Sequence, residues 1–453
     1  MEKAKQRKQL DDVGLYDFIK NILLVRARES DENDKNILDF CLKFQQYTGP
    51  VMAKGLEDTS FYIYNRLVSL NEVGGEPKRF GTSVAAFHHT NQYRLRYWPD
   101  AMLNTSTHDT KRSEDVRARI NVLSEMPDEW QKRITRWSRL NKSAKVQIDD
   151  VPAPTRNDEY AFYQNLLGIW PSQMTDGDRR TELIERMKVY MLKVCRESKE
   201  HTSWITPSEP YENAVNRFVE ETLKIPDTGF IQDFLSLHDD ISWFGMLNSL
   251  SQVLLKLTSP GIPDIYQGNE TWRFCLVDPD NRRPVDFSHC REMLRNILDA
   301  GANESGNRVE FLREMFASLA DGRAKMFVIA ATLALRNEWK DVFEKGSYLP
   351  LEVINAKHEH ICAFTRNFEK RVIVAVAPRL YYKLMQGDRS LAAVGKVWRE
   401  TTVRMPEYMA GMELRNVYSG ETVAVSGSGE DALLKVADVL NVWPIGLLQG
   451  TVN

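Results

Sequence analysis

The stretch at positions 101–112, AMLNTSTHDTKR, has residue types that enzymes use for chemistry. Its apolar start predicts a short strand, followed by an imidazole at His108, a carboxylate at Asp109 and cations at Lys111 and Arg112. The acidic residues that come next predict a helix. Ionisable side chains between the carboxyl end of a strand and a helix are typical of active sites in barrel enzymes. An ion-paired surface loop would show the same charges, so the pattern alone leaves both interpretations open.

Two further clusters follow predicted strands. Lys54 lies near the end of a predicted strand at 51–55, and Glu57 follows that strand. Tyr266 ends a predicted strand at 264–266. Each cluster also has a structural interpretation, because Lys54 and Glu57 could form a solvated ion pair and Tyr266 could cap a hydrophobic core. Strands that alternate with helices indicate a β/α barrel, although a closed barrel of this kind has eight strands.

The overall composition excludes several classes of protein. The 453 residues include 60 Lys and Arg against 63 Asp and Glu, a net charge of −3, which predicts neither a nucleic-acid nor an acidic membrane partner. The five cysteines are far apart, and no Cys/His spacing predicts a metal site. We expect no cofactor, since no phosphate-binding glycine loop is present. The lack of a signal peptide and of a long uninterrupted apolar run predicts a cytoplasmic protein.

Changes in the apolar periodicity divide the chain. Helical spacing dominates its start and a long central stretch, whereas short alternating segments dominate its end. The predicted segments are a helical segment at 1–43, barrel portions at 44–120 and 236–340, an inserted helical subdomain at 121–235, and a β domain at 341–453 whose last predicted strand is 440–445.

Three long motifs resemble those of the maltooligosyltrehalose synthases, a family of the alpha-amylase superfamily. They lie at 44–59 (FQQYTGPVMAKGLEDT), 106–119 (STHDTKRSEDVRAR) and 276–286 (LVDPDNRRPVD). A further segment at 260–270 (PGIPDIYQGNE) resembles the final barrel-strand motif of the superfamily. The resemblance implies an α/β fold: a partial (β/α)8 barrel holding strands six to eight, with the helical insertion and a C-terminal all-β sandwich.

The resemblance also implies an activity and a set of site residues. The family rearranges the reducing-end α-1,4 linkage of a maltooligosaccharide into the α,α-1,1 linkage of trehalose. Asp109 matches the third catalytic acid of the superfamily, which holds the hydroxyls of the distorted sugar, and His108 would bind the same ring. The other implied substrate-binding residues are Lys54, Lys111, Arg112 and Tyr266.

A retaining mechanism needs a nucleophile and a general acid, two carboxyl groups about 5–5.5 Å apart. The motifs that carry these two acids in the superfamily are not found in the sequence, and the first 43 residues are too few for five strands. We therefore predict the C-terminal part of such an enzyme, with an N-terminal half of the same enzyme as a partner. The alternatives are a non-catalytic maltooligosaccharide-binding module and a hydrolase of α-glucans.

Overall fold

The computed structural model describes residues 14–26, 31–171, 177–226, 228–301, 308–355, 357–389 and 393–452. The chain divides into two compact units, Met1–Ile63 and Tyr64–Asn453. Within the described part, no helix is both long enough and apolar enough to cross a membrane.

The described part of the first unit is helical. It contains α1 (Gly14–Leu23), α2 (Asp31–Met52), a π-helix (Ala53–Ser60) and a short helical turn (Phe61–Ile63). The Cys41 thiol of α2 donates a hydrogen bond to the carbonyl of Ile22 in α1 at 3.1 Å.

The predicted strand at 51–55 is wrong. Helix α2 runs through Pro50 and passes directly into the π-helix. A strand needs a neighbouring strand for its backbone groups, whereas here they are satisfied locally. The amide of Phe61 donates to the carbonyl of Leu56, and the hydroxyl of Thr59 donates to the carbonyl of Lys54 at 2.9 Å.

The second unit combines helices with short strands, which confirms the α/β class. Its helices are α3 (Val84–Tyr97), α4 (Glu114–Asn121), α5 (Pro127–Leu140), α6 (Arg156–Ile169), α7 (Gly177–Ser198), α8 (Glu209–Leu223), α9 (Gly229–Thr258), α10 (Phe287–Gly301), α11 (Arg308–Ala317), α12 (Arg323–Glu338), α13 (Lys340–Glu344), α14 (Tyr381–Met385) and α15 (Val436–Val439). Its strands are β1 (Met102–Leu103), β2 (Val146–Ile148), β3 (Val151–Ala153), β4 (Ile262–Pro263), β5 (Leu349–Pro350), β6 (Val353–Ile354), β7 (Ile361–Phe368), β8 (Arg371–Pro378), β9 (Thr402–Arg404), β10 (Glu413–Asn416), β11 (Thr422–Ala424), β12 (Leu433–Lys435) and β13 (Gly446–Thr451).

The predicted strand at the start of 101–112 is present as β1, whereas the predicted strand at 264–266 is wrong, because the strand that pairs with β1 is β4 at Ile262–Pro263. Strands β1 and β4 are parallel, with Met102 opposite Ile262. Strand β4 precedes the predicted 264–266, so Tyr266 lies in the following loop. Gly261, with φ of +126°, makes the approach possible, because a Cβ there would lie 2.7 Å from the carbonyl oxygen of Ala101. The carboxyl ends of both strands therefore lead into neighbouring loops.

Helix α9 is the central element of the second unit. It begins after Thr228, whose hydroxyl accepts a hydrogen bond from the Ile231 amide, and it packs against α4, α12 and β8. The predicted boundary between residues 235 and 236 falls inside this helix, which is continuous because apolar residues are buried along its whole length. Helix α9 thus joins the predicted helical subdomain to the strand β4.

Two antiparallel sheets form the end of the chain, and a separate β domain at 341–453 stays a prediction. The larger has the strand order β11-β10-β13-β8-β7-β5, and the smaller has the order β12-β9-β6. The predicted strand at 440–445 is wrong, because α15 ends at Val439 and the last strand is β13, which pairs with β8. A sandwich arrangement of the two sheets stays a prediction.

Four buried charged side chains join α4, α9 and α12. Lys325 of α12 places Nζ 2.8 Å from Oε1 of Glu114 and 2.8 Å from Oδ2 of Asp115. Lys256 of α9 places Nζ 3.2 Å from Oε2 of Glu114 and donates to the Thr105 hydroxyl at 2.8 Å. We call Glu114, Asp115, Lys256 and Lys325 the buried charge cluster. The negative charges of its two acids equal the positive charges of its two lysines.

The four groups of the cluster are shifted in both directions: burial raises the pKa of Asp115 and lowers that of Lys256, whereas the pKa values of Glu114 and Lys325 shift toward their charged forms. Burial by itself would raise the pKa of Glu114, but the two ammonium groups and the hydrogen bonds lower it to about 2. Burial would likewise lower the pKa of Lys325, but its two carboxylate neighbours raise it. A buried ion that loses its partner is strongly destabilising. The cluster therefore fixes the three helices relative to one another and to the end of β1.

Replacing Lys325 with methionine should lower the free energy of unfolding by about 3–5 kcal/mol, because the two acids would stay buried without their shared cation. Urea denaturation measures this change. Lys345→Met is the matched control, since the Lys345 side chain is 62% exposed, and it should change stability by less than about 0.5 kcal/mol. A loss below about 1 kcal/mol for Lys325→Met would contradict this role of the cluster.

Candidate functional site

The loop that follows β1 carries His108 and Asp109, and both side chains are exposed. Local hydrogen bonds shape this loop. The Asp109 amide donates to the Thr107 hydroxyl at 3.1 Å, and the Thr110 hydroxyl donates to the Thr107 carbonyl at 3.0 Å. The backbone is thus fixed by its own turn, which leaves the imidazole and the carboxylate open to solvent.

The loop that follows β4 holds the first loop through Asn281. The side-chain amide of Asn281 donates to the carbonyl of His108 at 2.9 Å and to that of Thr107 at 3.4 Å. The hydroxyl of Tyr266 lies 3.5 Å from the carbonyl of Asn281. Asn281 therefore links the backbone of His108 to the loop that carries Tyr266.

Asn281 is a site residue that the sequence analysis missed. It belongs to the segment 276–286, whose composition indicates a turn and a charge-paired loop. The residue is buried, and its Oδ1 has no hydrogen-bond partner among the described residues. A buried amide that holds two carbonyls of another loop has no sequence signal beyond the motif in which it lies.

Arg112 is buried, and its guanidinium forms hydrogen bonds with groups in the protein interior. Its guanidinium donates to the Asn165 side chain at 2.7 Å, to the Asn71 carbonyl at 3.3 Å and to the Tyr190 hydroxyl at 2.9 Å. Its backbone forms an antiparallel bridge with Leu276. These contacts position the loop between β1 and α4, and they give no support to the predicted role of Arg112 in binding substrate.

Lys111 is also buried, with 4% of its surface exposed, and its amide donates to Glu72 at 2.7 Å. Its charge acts on Asp278. Burial would raise the pKa of Asp278, but the hydrogen bond from Lys193 at 2.8 Å and the nearby cations, Lys111 among them, lower it. Lys111 therefore contributes to the field at the second loop, and direct contact with substrate stays a prediction.

Helix α7 anchors the second loop. Arg186 forms two hydrogen bonds with the Asp280 carboxylate, at 2.8 and 2.9 Å, and a third with the Phe274 carbonyl at 2.7 Å. The Leu276 amide donates to the same carboxylate at 2.8 Å, and the Arg283 guanidinium lies 3.7 Å from it. A carboxylate with this many donors is a structural anchor rather than a reacting group.

Lys54 lies in the first unit. Its ammonium pairs with the Asp58 carboxylate at 2.5 Å within the π-helix, and the Lys54 side chain is 78% exposed. It does not stand at the end of a strand, because the predicted strand is helical. Its role in binding substrate stays a prediction.

The groups that the two loops present suit polar recognition. In the part of the chain that the structure describes, no group of three or more His, Cys, Asp or Glu side chains could hold a metal. An exposed carboxylate, an imidazole and a phenol on two joined loops offer acceptors and donors to a ligand with several hydroxyls. The arrangement therefore fits the binding of a sugar ring.

Replacing Asn281 with alanine should loosen the loop between β1 and α4. Losing two hydrogen bonds of about 1 kcal/mol each predicts amide hydrogen exchange at residues 104–113 that is about five- to thirtyfold faster. Mass spectrometry of the exchanged peptides measures it. Asn441→Ala, at an exposed position, is the control and should leave exchange there unchanged. Equal exchange rates in Asn281→Ala and the wild type would contradict the conclusion that the Asn281 side chain holds this loop in place.

Known proteins are similar to this chain in both sequence and structure. No protein-family model matches the chain. A Mycobacterium tuberculosis protein with the provisional name maltooligosyl trehalose synthase is 37% identical over 366 residues, which cover 81% of this chain and 41% of that protein.

Solved structures agree with the sequence match. The maltooligosyltrehalose synthase of Arthrobacter ramosus superposes with a TM-score of 0.71 at 33% identity, over 90% of this chain and 46% of that one. A hypothetical maltooligosyl trehalose synthase of Sulfolobus tokodaii gives 0.66 at 30% identity, over 96% and 53%. The chain spans about half the length of these relatives. By sequence and by fold, the chain therefore belongs with the maltooligosyltrehalose synthases.

Proposed function

We propose that the chain supplies the substrate-holding part of a maltooligosaccharide mutase site. Asp109 and His108 would hold the glucose ring whose linkage is rearranged, and Tyr266 would contact the same sugar. The observation that carries this proposal is the exposed His108–Asp109 pair, clamped by Asn281 to the loop after β4. A preorganised carboxylate costs no rearrangement when charge develops on the sugar.

The reaction proposed is an intramolecular transfer with retention of configuration. A nucleophilic carboxylate attacks C1 of the penultimate glucose, the C1–O4 bond breaks, and a second carboxylic acid gives its proton to the departing glucose. The departing glucose then turns and its C1 hydroxyl attacks the glycosyl C1, the bond from that C1 to the nucleophilic carboxylate breaks, and the second carboxylate takes the hydroxyl proton. No water is consumed. Asp109 would hydrogen-bond the sugar hydroxyls in both steps.

The nucleophile and the general acid would come from an N-terminal half of the same enzyme, acting as a partner in the cytoplasm. Three carboxylates near the two loops support this assignment, because they are engaged in anchoring. Glu72 accepts from Arg117 at 2.9 Å, Asp280 accepts from Arg186, and Glu114 belongs to the buried charge cluster.

The strands β1 and β4 offer a place for further barrel strands. Met102 is 66% exposed and its partner Ile262 is 49% exposed, which is unusual for apolar side chains on paired central strands. An exposed pair of parallel strands invites pairing with another strand. This exposure supports the proposal that the site is completed by another part of the enzyme.

A second candidate is a maltooligosaccharide-binding module without turnover. The same engagement of the neighbouring carboxylates favours it, since a cleft can keep its affinity for a sugar when its reacting acids are absent. The two candidates differ in whether an added N-terminal half restores reaction.

Incubation with maltopentaose, followed by assays of reducing ends and free glucose, tests the proposal. The chain alone should leave the reducing ends unchanged. A chimera that carries the N-terminal half of the Arthrobacter ramosus synthase should remove them without releasing glucose. In that chimera, Asp109→Asn should slow the loss at least about 100-fold, since a contact that strengthens in the transition state is removed.

Asp438→Asn, at an exposed position of the β domain, is the matched control and should react like the parent chimera. Turnover by the chain alone would show that it holds its own nucleophile. A folded chimera that binds maltopentaose without reacting would favour the binding module, and full activity of Asp109→Asn would refute the role of Asp109.

A further inference from the structure

The connection between α7 and α8 presents a tryptophan to solvent at a position that the candidate site does not include. Trp204 is 56% exposed, and its neighbour Ile205 is 91% exposed. Large apolar side chains at the tip of a short connection have to be explained when the rest of the connection is well ordered by hydrogen bonds.

The indole of Trp204 is held in place from one side. The guanidinium of Arg196 lies over the ring, 4.8 Å from its centroid. The ring nitrogen donates to the Glu197 carboxylate at 3.0 Å. One face and the polar edge are therefore occupied, while the residue as a whole stays 56% exposed. An aromatic ring fixed in this way keeps little freedom to lose on binding.

The supports of the ring are themselves rigid. Arg196 binds the Glu212 carboxylate with two hydrogen bonds, at 2.8 and 2.6 Å, and the Thr202 hydroxyl donates to the same carboxylate at 2.7 Å. A turn closes the connection, with the amide of Thr206 donating to the Ser203 hydroxyl at 2.9 Å. The paired fork of Arg196 and Glu212 is the strong, directional kind of ion pair.

Helix α7 links this ring to the candidate site. Lys193, three residues before Arg196, binds the Asp278 carboxylate at 2.8 Å and its carbonyl at 3.1 Å. Residues three apart lie on one face of a helix, about 5–6 Å between their Cβ atoms. The same helix face therefore holds Asp278 in the loop after β4 and supports Trp204.

We infer that Trp204 is an outlying subsite for α-1,4-glucan, where a glucose unit remote from the reacting end stacks on the open face of the indole. The inference rests on the proposed function, which supplies the substrate class. Flat apolar faces of sugar rings complement an aromatic face, whereas an isoleucine side chain offers no such plane. The subsite gives the protein a preference for long maltooligosaccharides over short ones.

Isothermal titration calorimetry of the full chain with maltotriose and maltoheptaose tests the subsite. The wild type should bind maltoheptaose more tightly than maltotriose. Trp204→Ala should weaken maltoheptaose binding about three- to tenfold and leave maltotriose binding unchanged. Trp204→Phe should keep most of the affinity. Ile205→Ser is the matched control and should bind both sugars like the wild type.

The outcomes separate the two proposals. If the wild type binds both sugars and Trp204→Ala binds maltoheptaose equally well, the subsite is refuted and the proposed function stands. If Ile205→Ser weakens binding as much as Trp204→Ala does, stacking is refuted, since a general apolar contact would explain both losses. If the wild type binds neither sugar, the proposed function and the subsite fail together.

Discussion

The buried charge cluster is the constraint on which the rest of the second unit depends. Two acids at the start of α4 and two lysines, on α9 and α12, neutralise one another where water is excluded. Ions in such a place are stable only while all partners stay in position. The loop after β1 ends where α4 begins, so the helix that carries Glu114 also fixes the base of the loop that carries His108 and Asp109. Stability and site geometry therefore share one electrostatic origin.

Above this base, the two loops are held by groups that a sequence pattern would assign to substrate. Arg112 and Asp280 have charges suited to binding, yet each is engaged inside the protein, by Asn165 and by Arg186 respectively. This engagement leaves Asp109 exposed on a rigid support. Such a division, with most ions anchoring and one carboxylate presented, agrees with a site that holds a neutral sugar through hydrogen bonds.

The apolar periodicity predicted helices in a long central stretch and short strands at the end of the chain, and the structure has both. The helical structure of residues 51–55 could not be predicted from the residues themselves. Whether a short apolar run forms a strand depends on a neighbouring strand, which the pattern does not specify. The clamp by Asn281 was equally hidden, since its partners are backbone carbonyls more than 170 positions away.

The central claim is that His108 and Asp109 hold the sugar. Selective labelling of the histidines with nitrogen-15 allows nuclear magnetic resonance to follow each imidazole as maltopentaose is added to the chain. The account predicts that the ring signals of His108 shift with saturation, whereas those of His358, which is exposed in the β domain, stay fixed. Sugar binding that leaves the His108 signals unchanged would contradict the account.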